Sequence, residues 1–433
     1  MVEKMVLLTA KAVSKQQQAE RLTQMKQMSN SPNSENGIMQ RPAPVHRASL
    51  LPIVLLSAAG FTVMTTEFII VGLLPSMAAD LGVSVSQAGL LVTLFALTVA
   101  AAGPFLTAHL IGYERKRLFI FTLLLFALSN LVAAGASNIW VMALARFIPA
   151  LMLPVFWSLA SDTAVQITGP ENAGKAISTV GFGVVAATIF GIPIGTLISD
   201  RFGWRSAFAI LAALALAKVV FLFILLPRIP AKQERIPMLQ QLAILGQPKI
   251  LGHIFVSLLV FAGMFTSYTY LADILEKLAG FNGATVGWIL MGFGGVGLFG
   301  NWAGGRLVDR HPLGASALFC LPLAIGQIAL VPFIKESFVL ALVLVVLGVC
   351  QAALFTVSHT RVMKATEGQP ALGASFNISG GNIGIALGAF IGSRVIDLLG
   401  LASVGLAGTV IIVAAMAAIL SLTKAPRRVL QPS

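Results

Sequence analysis

Apolar stretches of about twenty residues recur along the chain from Leu50 onward, separated by short polar breaks. A stretch of this length crosses a bilayer as an α-helix, because a helix rises about 1.5 Å per residue and the hydrocarbon core is about 30 Å thick. We count twelve predicted spans, at 51–74, 88–110, 117–136, 138–161, 175–199, 206–227, 251–272, 285–304, 314–334, 337–360, 373–397 and 403–423. The pattern predicts an all-α polytopic membrane protein with twelve transmembrane helices.

The longest polar break, 228–249, divides the chain into two blocks of similar size with six predicted spans each, 50–227 and 250–424. We expect this break to be a cytoplasmic linker and 425–433 to be a cytoplasmic tail. Residues 1–49 are rich in Gln, Ser, Asn and Lys. Because such a composition cannot bury a core, we predict a disordered cytoplasmic tail there.

Glycines occupy matching places in the fifth and eleventh spans, at offsets of 197–199 residues. The positions are Gly174, Gly181, Gly195 and Gly203 in the fifth span, and Gly373, Gly380, Gly392 and Gly400 in the eleventh. This coincidence predicts that the two blocks are parallel repeats, which insert into the membrane the same way round because each has an even number of spans.

The composition excludes a soluble protein. Hydrophobic residues make up 57% of the chain and charged residues 10%, whereas soluble domains have about a quarter charged residues. Cys320 and Cys350 both lie in apolar runs, so neither a disulfide framework nor a zinc site is indicated.

The net charge of +13 would suit a nucleic-acid-binding protein, but its distribution indicates membrane orientation instead. With a cytoplasmic amino terminus, 22 Lys and Arg residues fall on the inside and five on the outside. The five outside are Arg201, Arg205, Lys277, Lys335 and Arg394; Arg146 and Lys218 fall within spans. Because cytoplasmic loops carry an excess of Lys and Arg, both termini are expected to be cytoplasmic, and no nucleic-acid partner is expected.

Glu67 is the only carboxylate in the interior of a predicted span. An unpaired charge there costs at least about 3 kcal/mol, so we interpret Glu67 as a functional site that binds and releases a proton. The alternative is a Glu near a helix end that reaches the membrane surface. Leu74, the predicted end, is about 10 Å away along the helix.

Arg146 lies in the fourth span, about 12 Å from its predicted outer end, and so at a depth similar to that of Glu67. We expect the two to pair while Glu67 is ionised and to separate when it is protonated. A purely structural Arg146, bonded to backbone carbonyls, is the alternative. Lys218, in the sixth span, is expected to extend its flexible stem toward the cytoplasmic surface.

Three further groups of residues are candidates for gating. Gly191, Pro193 and Gly195 interrupt the fifth span, where Pro removes a backbone donor and Gly admits a close neighbour. Two charged cytoplasmic hairpins are expected to lock neighbouring helices through ion pairs, unless they serve only as positive-inside anchors. The residues concerned are Arg115 and Lys116 in one hairpin and Gly305, Asp309 and Arg310 in the other.

Candidates for the wall of a central cavity are aromatic or amide-bearing residues within spans, although each alone is also compatible with simple packing. They are Phe156, Trp157, Phe265, Tyr268, Tyr270, His359, Asn377 and Asn382. The sequence contains no GxxxxGK[ST] motif, which argues against ATP as the energy source. No metal-ligand cluster or nucleophile triad stands out, so we expect no cofactor, no metal and no enzymatic activity.

Several segments together resemble the major facilitator superfamily over essentially all of 50–424. Within it the chain is similar to the twelve-span drug:proton antiporters, in the bacterial sugar-efflux and purine-nucleoside-efflux branch. The segments are Thr66–Pro75, Arg146 with Phe156–Ser158, Gly191–Gly195, Gly203–Arg205 and Gly305–Arg310. The resemblance implies two six-helix halves, a bacterial inner-membrane location, a monomer and a proton gradient as energy source. It also implies a protonation or substrate-contact role for Glu67 and a coupling role for Arg146.

The loop between the second and third spans departs from the family pattern. Ile111 and Gly112 stand where the family has Asp and Arg, and Glu114 takes the place of a Gly, while the basic residues from Arg115 onward remain.

The expected function is export of a small organic solute, such as a sugar, nucleoside or drug, in exchange for protons by alternating access. A proton symporter or a uniporter for uptake is the alternative within the transport class. A non-transporting membrane receptor on the same fold is the alternative from another class, although it would need no titratable interior group such as Glu67.

Overall fold

The computed structural model describes residues 51–110, 112–169, 173–229, 247–366 and 370–424. The predicted tails, most of the predicted linker and Ile111 lie outside the described residues. The described residues all belong to one compact unit.

Twelve helices within the described ranges are long and apolar enough to cross a membrane, which confirms the predicted number. They are α1 (Leu51–Asp80), α2 (Val85–Leu110), α3 (Arg115–Ala134), α4 (Ile139–Thr168), α5a (Ala173–Ala186) with α5b (Ile192–Phe202), α6 (Trp204–Leu225), α7a (Pro248–Tyr268) with α7b (Leu271–Ile274), α8 (Gly283–Arg310), α9 (Pro312–Leu330), α10 (Ser337–Ala365), α11 (Pro370–Leu399) and α12 (Val404–Lys424). Short π-helical turns, Ala187–Gly191 and Leu275–Ala279, complete α5 and α7.

Several helices are longer than predicted. The first was expected to end at 74, but α1 continues through Pro75 to Asp80. Likewise α4 reaches Thr168 and α10 reaches Ala365. Hydropathy marks only the apolar part of such a helix, whereas the helix itself continues until a cap or a turn ends it.

The predicted duplication is visible in how α5 packs on α1 and how α11 packs on α7. At three places in each pair a glycine lies so close to the partner helix that a Cβ would meet it within 3 Å, and the two sets are offset by 197 residues. The contacts are Gly183–Ser57, Gly191–Thr65 and Gly195–Ile69 in one half, and Gly380–Ile254, Gly388–Ala262 and Gly392–Thr266 in the other. Both helices then end at a glycine with positive φ, Gly203 at 80° and Gly400 at 83°, which favours glycine. Helices α5 and α11 are therefore counterparts, and α1–α6 and α7–α12 form two related halves.

The two halves share one apolar core near the end of the bundle where α1 ends, called here the Asp80 end. Buried residues of the first half, such as Leu74, Leu91 and Phe208, join the same cluster as Phe265 and Leu290 of the second half. Toward the opposite end, where α3 begins and which we call the Arg115 end, the first half has a separate cluster of its own. The halves therefore pack together mainly at the Asp80 end.

Candidate functional site

Arg146 is fully buried and bonds to the backbone of α1. Its guanidinium donates to the carbonyl oxygen of Thr66 and, at 2.6 Å, to that of Glu67. The guanidinium carbon also lies 4.2 Å from the centre of the Phe95 ring, a favourable cation–π arrangement. The arginine therefore links α4 to α1 and α2, as in the backbone-bonded alternative.

Glu67 lies near the middle of α1, thirteen residues before the end of the helix at Asp80, and so is not near a helix end. Its side chain is 7% exposed. Within the described residues, its carboxylate has no ion pair within 4.0 Å and no hydrogen bond. In this conformation the guanidinium of Arg146 bonds to the carbonyl oxygens of α1 instead of the carboxylate, and pairing while Glu67 is ionised stays a prediction.

Asn130 of α3 completes the polar network around Glu67. Its amide donates to the Thr66 hydroxyl at 3.1 Å and to the Phe126 carbonyl at 2.8 Å. In turn the Thr66 hydroxyl donates to the Thr62 carbonyl at 2.9 Å. Three helices, α1, α3 and α4, thus converge on the turn of α1 that carries Glu67.

The second half has a counterpart of this network without its charges. Gln327 of α9, 197 residues after Asn130, donates to the Gly263 carbonyl at 2.9 Å and to the Ser267 hydroxyl at 3.0 Å. Gly263 itself is 197 residues after Thr66. The same offset places Met264 at the position of Glu67. The second half therefore has no carboxylate at the place equivalent to Glu67.

Direct bonds join the halves between α2 and α11 at the Asp80 end. The hydroxyl oxygens of Ser86 and Ser393 lie 2.8 Å apart, and the Thr93 hydroxyl donates to the Ala386 carbonyl at 3.2 Å. On the other side of the bundle, a Cβ on Gly287 of α8 would lie 2.9 Å from the Leu197 side chain of α5b. The interface is thus closed on both sides of the bundle at this end.

Tyr270, at the break between α7a and α7b, is fully buried within this interface. Its hydroxyl donates to the Ala389 carbonyl at 2.7 Å. Its ring lies between Gly89 of α2 and Gly392 of α11, so that a Cβ on Gly89 would lie 2.6 Å from the ring and would overlap the hydroxyl. A cavity-wall role for Tyr270 is therefore wrong in this conformation: the residue is enclosed where α2, α7 and α11 meet.

The interruption predicted in α5 is a π-helical turn, Ala187–Gly191, which ends two residues before Pro193. Pro193 has no N–H to donate to the carbonyl of Ile189, four residues earlier. It lies in the first turn of α5b, where a backbone donor is not needed. Gly191 and Gly195 allow α5 to lie directly on Thr65 and Ile69 of α1. The irregular turn therefore lies beside the α1 segment that leads to Glu67.

The hairpin at Arg115 forms an ion pair within its own half. Arg115 is fully buried and its guanidinium lies 2.8 Å from the Asp162 carboxylate of α4. Glu114, which departs from the family pattern, accepts bonds from the backbone of Lys116 and Arg117 and so caps α3. Lys116 instead lies over the ring of Phe223, 5.5 Å from its centre.

In the hairpin after α8, the Asp309 carboxylate lies 2.8 Å from the Lys364 ammonium of α10. Gly305 is partly exposed and has only an ordinary contact with Thr356, so the close approach of α8 to α10 falls at Gly300 and Gly304 instead. Arg310 is exposed. This hairpin therefore contributes one surface ion pair within the second half.

Replacing Asp162 with Asn is expected to lower the melting temperature by several degrees. The substitution removes the carboxylate from a buried guanidinium, which should cost about 1–3 kcal/mol, less than for a fully buried pair because Asp162 is 30% exposed. A thiol-reactive dye that reports exposure of the buried Cys320 and Cys350 would measure the transition. Asp309→Asn, which breaks the exposed ion pair with Lys364, is the control and should change the melting temperature little. Equal melting temperatures for the two variants would contradict the prediction.

The remaining cavity candidates are not gathered at one place. Phe156 is fully buried in the first half against Phe119 and Trp157, so its placement on a cavity wall is wrong. Trp157 is half-buried and packs over Gly60 of α1.

Phe265 is buried where the halves meet, 6.0 Å from Phe68 between ring centres, and Tyr268 stacks on Phe293 at 5.6 Å. His359 is half-buried on α10. Asn377 and Asn382 are buried on α11, and the side-chain oxygen of each lacks a hydrogen-bond partner.

Several residues of the networks were not singled out from the sequence. Asn130 and Gln327 could have been found, because the repeat offset suggested by the glycines relates them. Arg361 was assigned to a cytoplasmic segment, but it is 1% exposed in α10 and bonds to Ser257 and to the His253 carbonyl. The contacts of Tyr270 with Gly89 and Gly392 could not be predicted from the sequence, since a glycine in a glycine-rich helix does not indicate which residue packs against it.

Sequence comparison identifies relatives of matching length. An inner membrane transport protein, YdhP, of Escherichia coli (strain K12) is 32% identical over 83% of this chain and 92% of its own. A probable sugar efflux transporter of Pasteurella multocida is 30% identical over 82% of this chain and 88% of its own. A chloramphenicol resistance protein of Streptomyces lividans is 30% identical over 79% of this chain and 88% of its own.

Among solved structures, a bacterial homologue of the human lysosomal transporter Spinster, in an inward-facing and unoccupied conformation, has the same fold. The TM-score is 0.72, with 16% sequence identity over 88% of this chain and 98% of that one.

The sequence pattern of the Major Facilitator Superfamily matches residues 56–365 and 282–433, which together cover both halves. Its described residues include twelve membrane-spanning helices in two related halves. The chain belongs to the major facilitator superfamily and is a multi-pass membrane transporter.

Proposed function

We propose that this protein exports a small organic solute across a bacterial inner membrane in exchange for protons. The observation that carries the proposal is the Glu67 carboxylate, buried at mid-helix without a hydrogen bond or ion pair in the described part of the chain. Intramembrane carboxylates are costly and typically belong to proton relays. The neighbouring Arg146 is satisfied by backbone oxygens, so Glu67 can change its protonation state without leaving a guanidinium unbonded.

Export, rather than uptake, is supported by the named relatives, which include a probable sugar efflux transporter and a chloramphenicol resistance protein. The excess of Lys and Arg on one side supports a cytoplasmic location for both termini. With that orientation the Asp80 end faces outward, so the bonds between α2 and α11 close the transporter to the outside. Solute and proton would then compete for the region of Glu67 while it is reached from the cytoplasm.

The test uses purified full-length protein in liposomes that contain a pH-sensitive dye, with an imposed proton gradient. Chloramphenicol, a thiogalactoside and uridine are added in turn. Proton movement opposite to the solute supports antiport, and movement with the solute would show symport. Solute exchange without proton movement would show a uniporter and contradict the proposed coupling, and solute binding without any exchange would favour a receptor.

A further inference from the structure

Three cationic residues lie together where α3 begins and α6 ends. Lys116 and Arg117 belong to the first turn of α3, and Arg228 follows the last residue of α6 by three positions. The backbone N–H of Arg115 donates to the Ile229 carbonyl at 3.2 Å, so the chain at Arg228 lies beside the first turn of α3. We call Lys116, Arg117 and Arg228 the basic cluster.

The basic cluster keeps a positive charge within the described part of the chain. The side chain of Arg117 is 85% exposed and pairs with the Glu114 carboxylate at 3.7 Å. The Lys116 ammonium has no described carboxylate within 4.0 Å and lies over the exposed Phe223 ring instead, 5.5 Å from its centre. Arg228 is exposed and forms no ion pair with a described residue. Among these residues one carboxylate therefore faces three cations, which leaves two positive charges without a counter-ion.

Next to the basic cluster, α3 and α6 present exposed apolar side chains. Phe121, Leu124 and Leu128 follow Arg117 on one face of α3 at helical spacing, and all three are exposed. Phe223, in the last turn of α6, is exposed as well. In a membrane such surfaces contact acyl chains, so the cations at the ends of these two helices lie at the level of the lipid headgroups.

The second half has no such cluster at the equivalent place. The repeat offset of 197 residues puts Leu313 at the position of Lys116 and Gly314 at that of Arg117. An excess of Lys and Arg that serves only orientation needs to lie on the cytoplasmic side, at any helix end. Its convergence on one lipid-facing pair of helices favours a bound anion.

We propose that the basic cluster binds the headgroup of one anionic phospholipid, whose acyl chains lie along α3 and α6. Lys116, Arg117 and Arg228 supply charge-assisted hydrogen-bond donors to its phosphate. A zwitterionic lipid has the same phosphate, but its own cation would be repelled by the positive charge that remains on the cluster. Basic sites at the ends of transmembrane helices are typical for anionic headgroups. The site is on the outer surface of the first half, apart from Glu67, and does not depend on the proposed transport.

Native mass spectrometry of the purified full chain in detergent would measure the binding of dioleoylphosphatidylglycerol, with dioleoylphosphatidylcholine as the zwitterionic comparison. We expect the first phosphatidylglycerol to bind the wild type roughly tenfold more tightly than phosphatidylcholine, because each cation near a membrane surface contributes roughly fivefold to the affinity for an anionic lipid. Lys116→Gln combined with Arg228→Gln should remove most of this difference. Equal affinity of the wild type for the two lipids would overturn the site.

Arg306→Gln combined with Lys424→Gln is the matched control. It also removes two exposed cations at the Arg115 end, but from α8 and α12 of the second half. Because salt screens exposed charges beyond about 10 Å, it should change the affinity for phosphatidylglycerol by less than about twofold. Equal losses in the two double variants would show a diffuse attraction to the whole basic surface and would reject a defined site.

The soluble headgroup separates a lipid site from a site for a free phosphate compound. A large excess of sn-glycero-3-phosphoglycerol, which lacks the acyl chains, should leave phosphatidylglycerol bound, because the chains add apolar contacts along α3 and α6. Displacement by this compound would assign a soluble ligand and overturn the lipid assignment. Lys116→Arg keeps the charge and should retain the lipid; loss of binding in that variant would contradict a site defined by charge.

Discussion

Replacing Glu67 with Gln is expected to reduce solute-driven proton flux in liposomes to the level of empty liposomes. Gln matches Glu in size but cannot bind and release a proton in this range of pH, so the exchange loses the group that carries the proton. The effect should be large, because the equivalent position of the second half is Met264 and supplies no second carboxylate.

Glu67→Gln is expected to leave the hydrogen bonds of Arg146 intact. Arg146 bonds to the backbone carbonyls of Thr66 and Glu67 and not to the carboxylate, so those bonds survive in the variant. The carboxylate makes no hydrogen bond or close ion pair within the described residues, so its replacement by an amide breaks no direct contact there. Loss of flux would therefore reflect coupling and not misfolding.

Two control variants define the result. Glu336→Gln removes an exposed carboxylate at the start of α10 and should leave the flux unchanged. Glu67→Asp keeps a carboxylate one methylene shorter and should retain part of the flux. Wild-type proton flux in Glu67→Gln would reject the assignment of the proton site.

Replacing Gly89 with Leu should prevent closure at the Asp80 end. Its side chain would occupy the place of the Tyr270 ring, which cannot swing away because Gly392 lies on its other side and its hydroxyl is bonded to Ala389. Overpacking of this kind typically costs about 1–3 kcal/mol, so the closed state should lose population by roughly tenfold or more. Transport, which requires both states, should fall in parallel.

Cross-linking measures the closure directly, without knowledge of the solute. A Ser86→Cys, Ser393→Cys pair in a chain without Cys320 and Cys350 brings two thiols together where the serine oxygens lie 2.8 Å apart. Oxidative cross-linking should be efficient in this background and much weaker when Gly89→Leu is added. Gly181→Leu is the control, because a Cβ there meets nothing within 4 Å. Equal cross-linking in both glycine variants would contradict the proposed role of the Tyr270 contact.

Much of the architecture could be predicted from the sequence, because a bilayer demands long apolar helices and each one leaves a strong hydropathy signal. The glycine offsets even identified α5 and α11 as counterparts. The ends of helices were harder to predict from the sequence: Pro75 does not end α1, and α10 ends at Ala365 instead of residue 360. Residues beyond the apolar stretch carry no hydropathy signal, so Arg361 was assigned to a loop although it is buried.

The site was predicted in its residues but not in its bonds. A charge at mid-span identifies Glu67 and Arg146, since few other reasons keep a charge there. Sequence cannot indicate that the guanidinium reaches the backbone of α1 instead of the carboxylate, because that choice depends on how closely two distant helices approach. The same limit applies to Phe156, whose helix face was ambiguous until its neighbours in the first half were known.

The presence of a carboxylate at Glu67 and of Met264 at the equivalent position has an electrical consequence. If one proton enters at Glu67 for each uncharged solute that leaves, every cycle moves one net positive charge inward across the membrane. A voltage of 100 mV then contributes about 2.3 kcal/mol to each cycle, in addition to the difference in pH. If a second carboxylate at Met264 also carried a proton in each cycle, that charge would double, so under the proposed exchange the unequal halves set how strongly the membrane potential drives export.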